Sequence, residues 1–106
     1  MNRGEIWNFE FKKPDKNRPV VILTQQEIIP YLNTVTVAPI TRTIRGVSSE
    51  VLLGTEAGLK ELSAINLHHL VTIPKSDLRR FIGNVPKEKM DQIKEALLFA
   101  LGFEGA

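Results

Sequence analysis

The sequence predicts a mainly β domain with one helix at its C-terminal end, a small curled antiparallel barrel or half-barrel on which that helix packs. Three observations predict it. Val, Ile and aromatic residues gather in several short runs, and Pro, Gly, Asn and Asp punctuate the gaps between them. The strand candidates follow one another across these turn signals, with the closing helix only after the last of them. Only the segment after Pro86 repeats its apolar residues at helical spacing, and that stripe must cover something apolar.

Taken in order, residues Glu5 to Phe11 alternate Ile6, Trp7, Phe9 and Phe11 with polar positions, which predicts a first strand with one wet face. Lys12 to Asn17 supplies Pro14, Asp15 and Asn17 for a turn with a basic tip. A second strand follows from Arg18 to Thr24, and an irregular connection broken by Pro30 leads to a third from Thr34 to Thr41. Arg42 to Gly46 reads as an exposed basic loop. Ser48 to Leu53 is a fourth strand, and the glycines at 54 and 58 predict a turn or a single helical turn. Ser63 to Leu67 and Leu70 to Ile73 form one long strand or two short ones, stopped by Pro74. Ser76 and Asp77 resemble the start of a short helix, and Phe81 to Val85 is a brief final strand. Pro86 suits the first position of the closing helix, whose stripe is Met90, Ile93, Leu97, Leu98 and Leu101, with its end at Gly102.

At 106 residues and 42% hydrophobic, the chain is the right size for one domain, residues 1–106, with its own core. The absence of cysteine excludes disulfides, thiolate metal sites and a cysteine nucleophile. No apolar run is long enough to cross a membrane, and the expected setting is the cytoplasm. Net charge is only +2, but residues 1–47 carry seven Lys/Arg against four Asp/Glu, whereas the remainder carries seven against eight. A basic surface of this kind attracts polyanions.

Candidate chemistry sits at the ends of the two most apolar strands. Arg18 opens one and Thr41 closes the other, so a rigid sheet would hold a guanidinium and a hydroxyl at its rim. A guanidinium fork donates two hydrogen bonds to two phosphate oxygens, and a threonine hydroxyl donates to the same oxygens or to a leaving group. Threonine is a poor base at neutral pH; His68 or His69 is the candidate for that task. Lys16, Asn17 and Pro19 beside Arg18, and Arg42, Thr43 and Arg45 beyond Thr41, are candidate substrate contacts together with the two histidines. On a strand, His68 and His69 would point to opposite faces, and no third ligand stands at a metal-site spacing. No metal or other cofactor is expected. Spacing alone also permits plainer readings: Arg18 and the 42–45 loop as solvated cations, Thr41 as a turn residue, the histidines as half-buried hydrogen-bonding groups, and Trp7 as core.

The segments Arg3-Gly4-Glu5-Ile6-Trp7, Arg18-Pro19-Val20-Val21-Ile22-Leu23 and Val37-Ala38-Pro39-Ile40-Thr41, then Ile73 ahead of a terminal amphipathic helix, resemble the successive landmarks of the MazF/PemK toxins. The resemblance implies an SH3-like barrel of the plasmid-maintenance toxin, or CcdB-like, fold. It implies a sequence-specific, metal-independent endoribonuclease of a type II toxin–antitoxin module, with Arg18 and Thr41 catalytic. Cleavage of single-stranded RNA (messenger, ribosomal or transfer) would leave a 2′,3′-cyclic phosphate and a 5′-hydroxyl, and so inhibit translation and growth. The implied assembly is a homodimer with RNA in the groove between protomers. A MazE-like antitoxin would block that groove with an acidic C-terminal segment. Two positions depart from the common pattern: the first loop is the short Lys13-Pro14-Asp15-Lys16-Asn17, and His68-His69 stands where an acid-glutamine pair is common. The competing readings are a CcdB-like gyrase poison and an inactive barrel used for binding. The poison's tryptophan-glycine-isoleucine ending is replaced here by Leu101-Gly102-Phe103-Glu104-Gly105-Ala106.

Overall fold

The computed structural model describes residues 1–10 and 17–103. Among these residues seven strands run in the order β1 (Glu5–Glu10), β2 (Asn17–Ile22), β3 (Thr34–Thr41), β4 (Glu50–Leu53), β5 (Ser63–Asn66), β6 (Val71–Pro74) and β7 (Leu78–Asn84), and one helix, α1 (Lys87–Leu101), follows them. All pairings are antiparallel. The order across the sheet is β4-β5-β3-β2-β1-β7, with β6 attached to β3. The eight-residue β3 is the pivot, because Thr34–Val37 pair with β6 while Ile40 and Thr41 pair with β5.

Side chains alternate across a strand, so a central strand can feed two cores. In β2, Val21 joins Ile6, Ala38, Ile40, Leu53 and Ile65 in one buried cluster, which also takes Ile93 and Ala96 of α1. Val20 and Ile22 point the other way, to Ile29, Val35, Val37, Ile73 and Leu78, with Trp7 and Phe9 packed at the margin. Burying side chains of this size stabilises the fold by roughly 1.5–3 kcal/mol each, and this anchors β2 and β3 on both faces.

The sheet curls until its ends meet. The turn Thr55–Ala57 after β4 lies so close to β7 that a Cβ placed on Gly83 would fall 2.1 Å from the Ala57 carbonyl oxygen. Gly58 has φ of +94°, and a Cβ there would sit 2.9 Å from the Ile82 carbonyl oxygen. Both positions therefore require glycine. No helix is long and apolar enough to cross a membrane among the described residues.

Several boundaries differ from expectation. β2 ends at Ile22 because Leu23 and Thr24 already turn toward the connection, which is a six-residue 3₁₀ segment, Gln26–Tyr31, anchored by buried Ile29. β4 is two residues shorter than the predicted Ser48–Leu53 strand, and the start of a short helix at Ser76 is a three-residue 3₁₀ turn, Lys75–Asp77. β7 begins at Leu78, three residues before the expected Phe81. Its two register shifts against β1 break the alternation that would have revealed it. Pro86 precedes the helix instead of opening it. Leu101 is 54% exposed, so the face of α1 that reaches the core is Met90, Ile93, Ala96, Leu97 and Ala100. Gly102 ends the helix as expected, with φ of +78° and its N–H directed to the Leu98 and Phe99 carbonyls. Phe11 and the turn from Lys12 to Lys16 lie outside the described residues.

Candidate active site

The β2–β3 register brings the two rim residues together. Val20 faces Pro39, Val21 faces Ala38 and Ile22 faces Val37. The ladder stops at the Val20–Pro39 pair, and Arg18 and Thr41 stand just beyond it, two residues outward on their strands. Both share the face of Val20 and Val37, where buried side chains fix the strands beneath them. Phe9 of β1 faces Arg18 from the other side, and Ala64 of β5 faces Thr41.

Two cavities meet at this pair. One, of about 670 Å³, is lined by Arg18 and Thr41 with Asn17, Pro19, Arg42 and Thr43, and also by Asn8, Lys60, Glu61 and Arg80. Among the described residues, four cationic side chains stand there against the one carboxylate of Glu61. Glu61 is paired with Arg42, Oε2 to Nε at 3.3 Å, on an exposed edge where such a pair exchanges readily with solvent or another anion. The second, of about 430 Å³, is lined by Arg18, Thr41 and Thr43 with Pro39, Arg45, Asn66, His69 and Val71. Among the described residues it holds two arginines and no carboxylate.

Local hydrogen bonds set the donors. The Thr43 backbone N–H donates to Thr41 Oγ1 at 3.2 Å, which occupies one lone pair and leaves the Thr41 hydroxyl proton available to donate. Beyond it, the Glu50 carboxylate accepts from the backbone N–H groups of Arg45 (3.1 Å to Oε1, 3.3 Å to Oε2) and Gly46 (2.9 Å to Oε1). The basic loop is thus tied to β4 by a charged acceptor. Gly46, at φ of +75°, makes the turn that allows it.

The two histidines part company. They occupy the turn after β5 and are exposed, not half-buried on a strand, and their rings touch edge to face at 4.5 Å between centroids. His69 lines the smaller cavity, whereas His68 lines neither cavity and its Nδ1 is 2.6 Å from Ser49 Oγ. Trp7 is half-buried, donates its indole N–H to Glu5 Oε1 at 2.9 Å and meets Phe81 edge to face. Lys16 lies outside the described residues.

The sequence model of PemK-like, MazF-like toxins of type II toxin-antitoxin systems matches residues 2–101. The chain belongs to this family. The toxin is similar to endoribonuclease MazF3 of Mycobacterium tuberculosis, with 42% identity over 83 residues that cover 78% of this chain and 81% of the relative. It is similar to the solved structure of Mycobacterium tuberculosis toxin MazF-mt6, with 37% identity, a TM-score of 0.87 and coverage of 94% of this chain and 98% of that one. A mycobacterial endoribonuclease solved in complex with its cognate antitoxin shares the fold at 23% identity, with a TM-score of 0.88 over 100% and 99% of the two chains.

Sequence reasoning missed Asn8, Lys60, Asn66 and Arg80 of the toxin. Lys60 and Arg80 come from the half of the chain whose net charge is negative, and folding carries them to the basic cavity. The signal for Arg80 was the Arg79-Arg80 pair ahead of Phe81, hidden once β7 was started too late.

Proposed function

We propose that this toxin is an endoribonuclease that cleaves single-stranded RNA by in-line attack of a 2′-hydroxyl on the adjacent phosphorus, without a metal ion. What carries the reading is that Arg18 and Thr41, near the ends of β2 and β3, both line two adjoining cavities rich in cations. The 2′-oxygen forms a bond to phosphorus, the bond to the 5′-oxygen breaks, and the products are a 2′,3′-cyclic phosphate and a 5′-hydroxyl. Arg18 donates to the non-bridging oxygens as charge builds on the phosphorane. Thr41 donates its proton to the same oxygens or to the leaving 5′-oxygen. His69, which shares the smaller cavity with both, takes the 2′-hydroxyl proton. Asn17, Pro19, Arg42, Thr43 and Arg45 hold the strand on either side.

The toxin acts in the cytoplasm as a homodimer, with RNA in the groove between protomers, and is silenced by a cognate antitoxin. An acidic antitoxin segment competes with RNA for the cations of the groove. The test is cleavage of a long single-stranded RNA in EDTA by the wild type and by Arg18→Ala. We expect cutting by the first, and at least a hundredfold loss in the second with the fold intact, since removal of one such donor costs about 10²–10³ in rate. Full activity in Arg18→Ala removes the phosphate clamp.

A further inference from the structure

Ser49 carries a hydroxyl that the reaction above does not use. It stands immediately before β4, is 7% exposed, and its Oγ lies 2.6 Å from Nδ1 of His68. The turn that carries the histidines does not need this contact to hold its path. Its main chain is already tied twice, by the Leu67 N–H to the Ser49 carbonyl at 2.9 Å and by the His69 N–H to the Asn66 carbonyl at 3.3 Å. What the hydroxyl adds is a fixed direction for the His68 ring.

That ring bears on the site through its neighbour. His68 and His69 meet edge to face with ring centroids 4.5 Å apart, and His69 lines the 430 Å³ cavity together with Arg18 and Thr41. An exposed imidazole with nothing to lean on samples three χ1 wells and two ring orientations, about six arrangements, and they aim its nitrogens at different points. Leaning on a ring that is itself held removes most of that choice. The residue after Ser49 works in the same sense, because the Glu50 carboxylate accepts from the Arg45 and Gly46 N–H groups. Two adjacent residues at the start of β4 thus tie both segments that bring Arg45 and His69 to the smaller cavity.

We infer that Ser49 is a positioning residue of this toxin: its hydroxyl fixes the His68 ring, and that ring holds the His69 imidazole where it takes the proton that leaves the 2′-oxygen as this oxygen bonds to phosphorus. The inference rests on the endoribonuclease reading above and on His69 as its base. His68 lines neither cavity, so its part is played through His69.

The experiment measures single-turnover cleavage, RNA affinity under conditions that block cutting, and melting temperature. The proteins are wild type, Ser49→Ala, His68→Ala, His69→Ala, and the two double variants that join Ser49→Ala to each histidine change. Ser49→Ala should cut about three- to sixfold more slowly, the most that freeing one ring among about six arrangements allows. Its RNA affinity should stay within about twofold, and its melting temperature should fall by no more than roughly 4–8 °C, as for one lost hydrogen bond. His68→Ala should be slowed alike, and adding Ser49→Ala to it should change the rate less than about twofold, since both remove one brace. His69→Ala should lose at least about a hundredfold, the smallest usual share of a general base, and Ser49→Ala should then cost less than about twofold more. A loss below threefold in Ser49→Ala overturns the inference, as does an affinity that falls with the rate, or a further loss beyond twofold in either double variant. A wild type that cuts no RNA overturns the endoribonuclease reading itself. His69→Ala at the wild-type rate removes His69 as the base and the role of Ser49 with it, whereas a slow His69→Ala beside a fast Ser49→Ala overturns only the role of Ser49.

Discussion

Replacing Thr41 by valine separates chemistry from architecture at the centre of the site. Valine keeps the branched shape and the strand preference of threonine, and the facing residue Ala64 makes no demand on the hydroxyl. The hydroxyl oxygen accepts one hydrogen bond, from the exposed Thr43 N–H at 3.2 Å. Losing it costs less than about 1 kcal/mol, a fall of no more than roughly 4–8 °C in melting temperature for a domain of this size. If the Thr41 hydroxyl donates to charge that develops only in the transition state, its removal costs about 3 kcal/mol, or roughly 150-fold in rate. The assay is single-turnover cleavage at saturating enzyme, with RNA affinity measured in parallel under conditions that block cutting. Cleavage should fall about 150-fold while affinity changes less than about threefold, and Thr41→Ser should recover most of the rate. Thr41→Val cutting within about threefold of wild type, or losing affinity and rate together, would refute the assignment and reduce Thr41 to a contact.

Two other expectations follow from the cavities and the loop that borders them. Arg80→Ala should lower the slope of log affinity against log salt by about 0.7, as expected for one lost phosphate contact on a single strand, with the cut sequence unchanged. An unaltered slope would place Arg80 off the RNA path. Glu50→Ala releases the backbone N–H groups of Arg45 and Gly46, so trypsin should cut faster after Arg42 or Arg45. Cleavage of RNA should fall about tenfold while the melting temperature drops only a few degrees, because the freed N–H groups reach water. Equal trypsin rates in the two proteins would show that the carboxylate does not hold the loop.

The mainly β class, the strands through Arg18 and Thr41, the closing helix and the family are legible in the chain because they are local signals. Alternating apolar residues bury on two faces, Gly102 ends a helix through its backbone freedom, and the rim pair stands at the ends of runs that must be interior. Tertiary structure decided what depends on register and curl. Arg18 and Thr41 are 23 positions apart and line the same cavities because three pairs of β2 and β3 align the two strands. Lys60 and Arg80 reach the basic cavity because glycines at 58 and 83 let the sheet close on itself, and His69 parts from His68 because a turn, not a strand, carries them. Charge and hydrogen-bonding capacity belong to residues, but which of them share a cavity is set by long-range packing that no local pattern encodes.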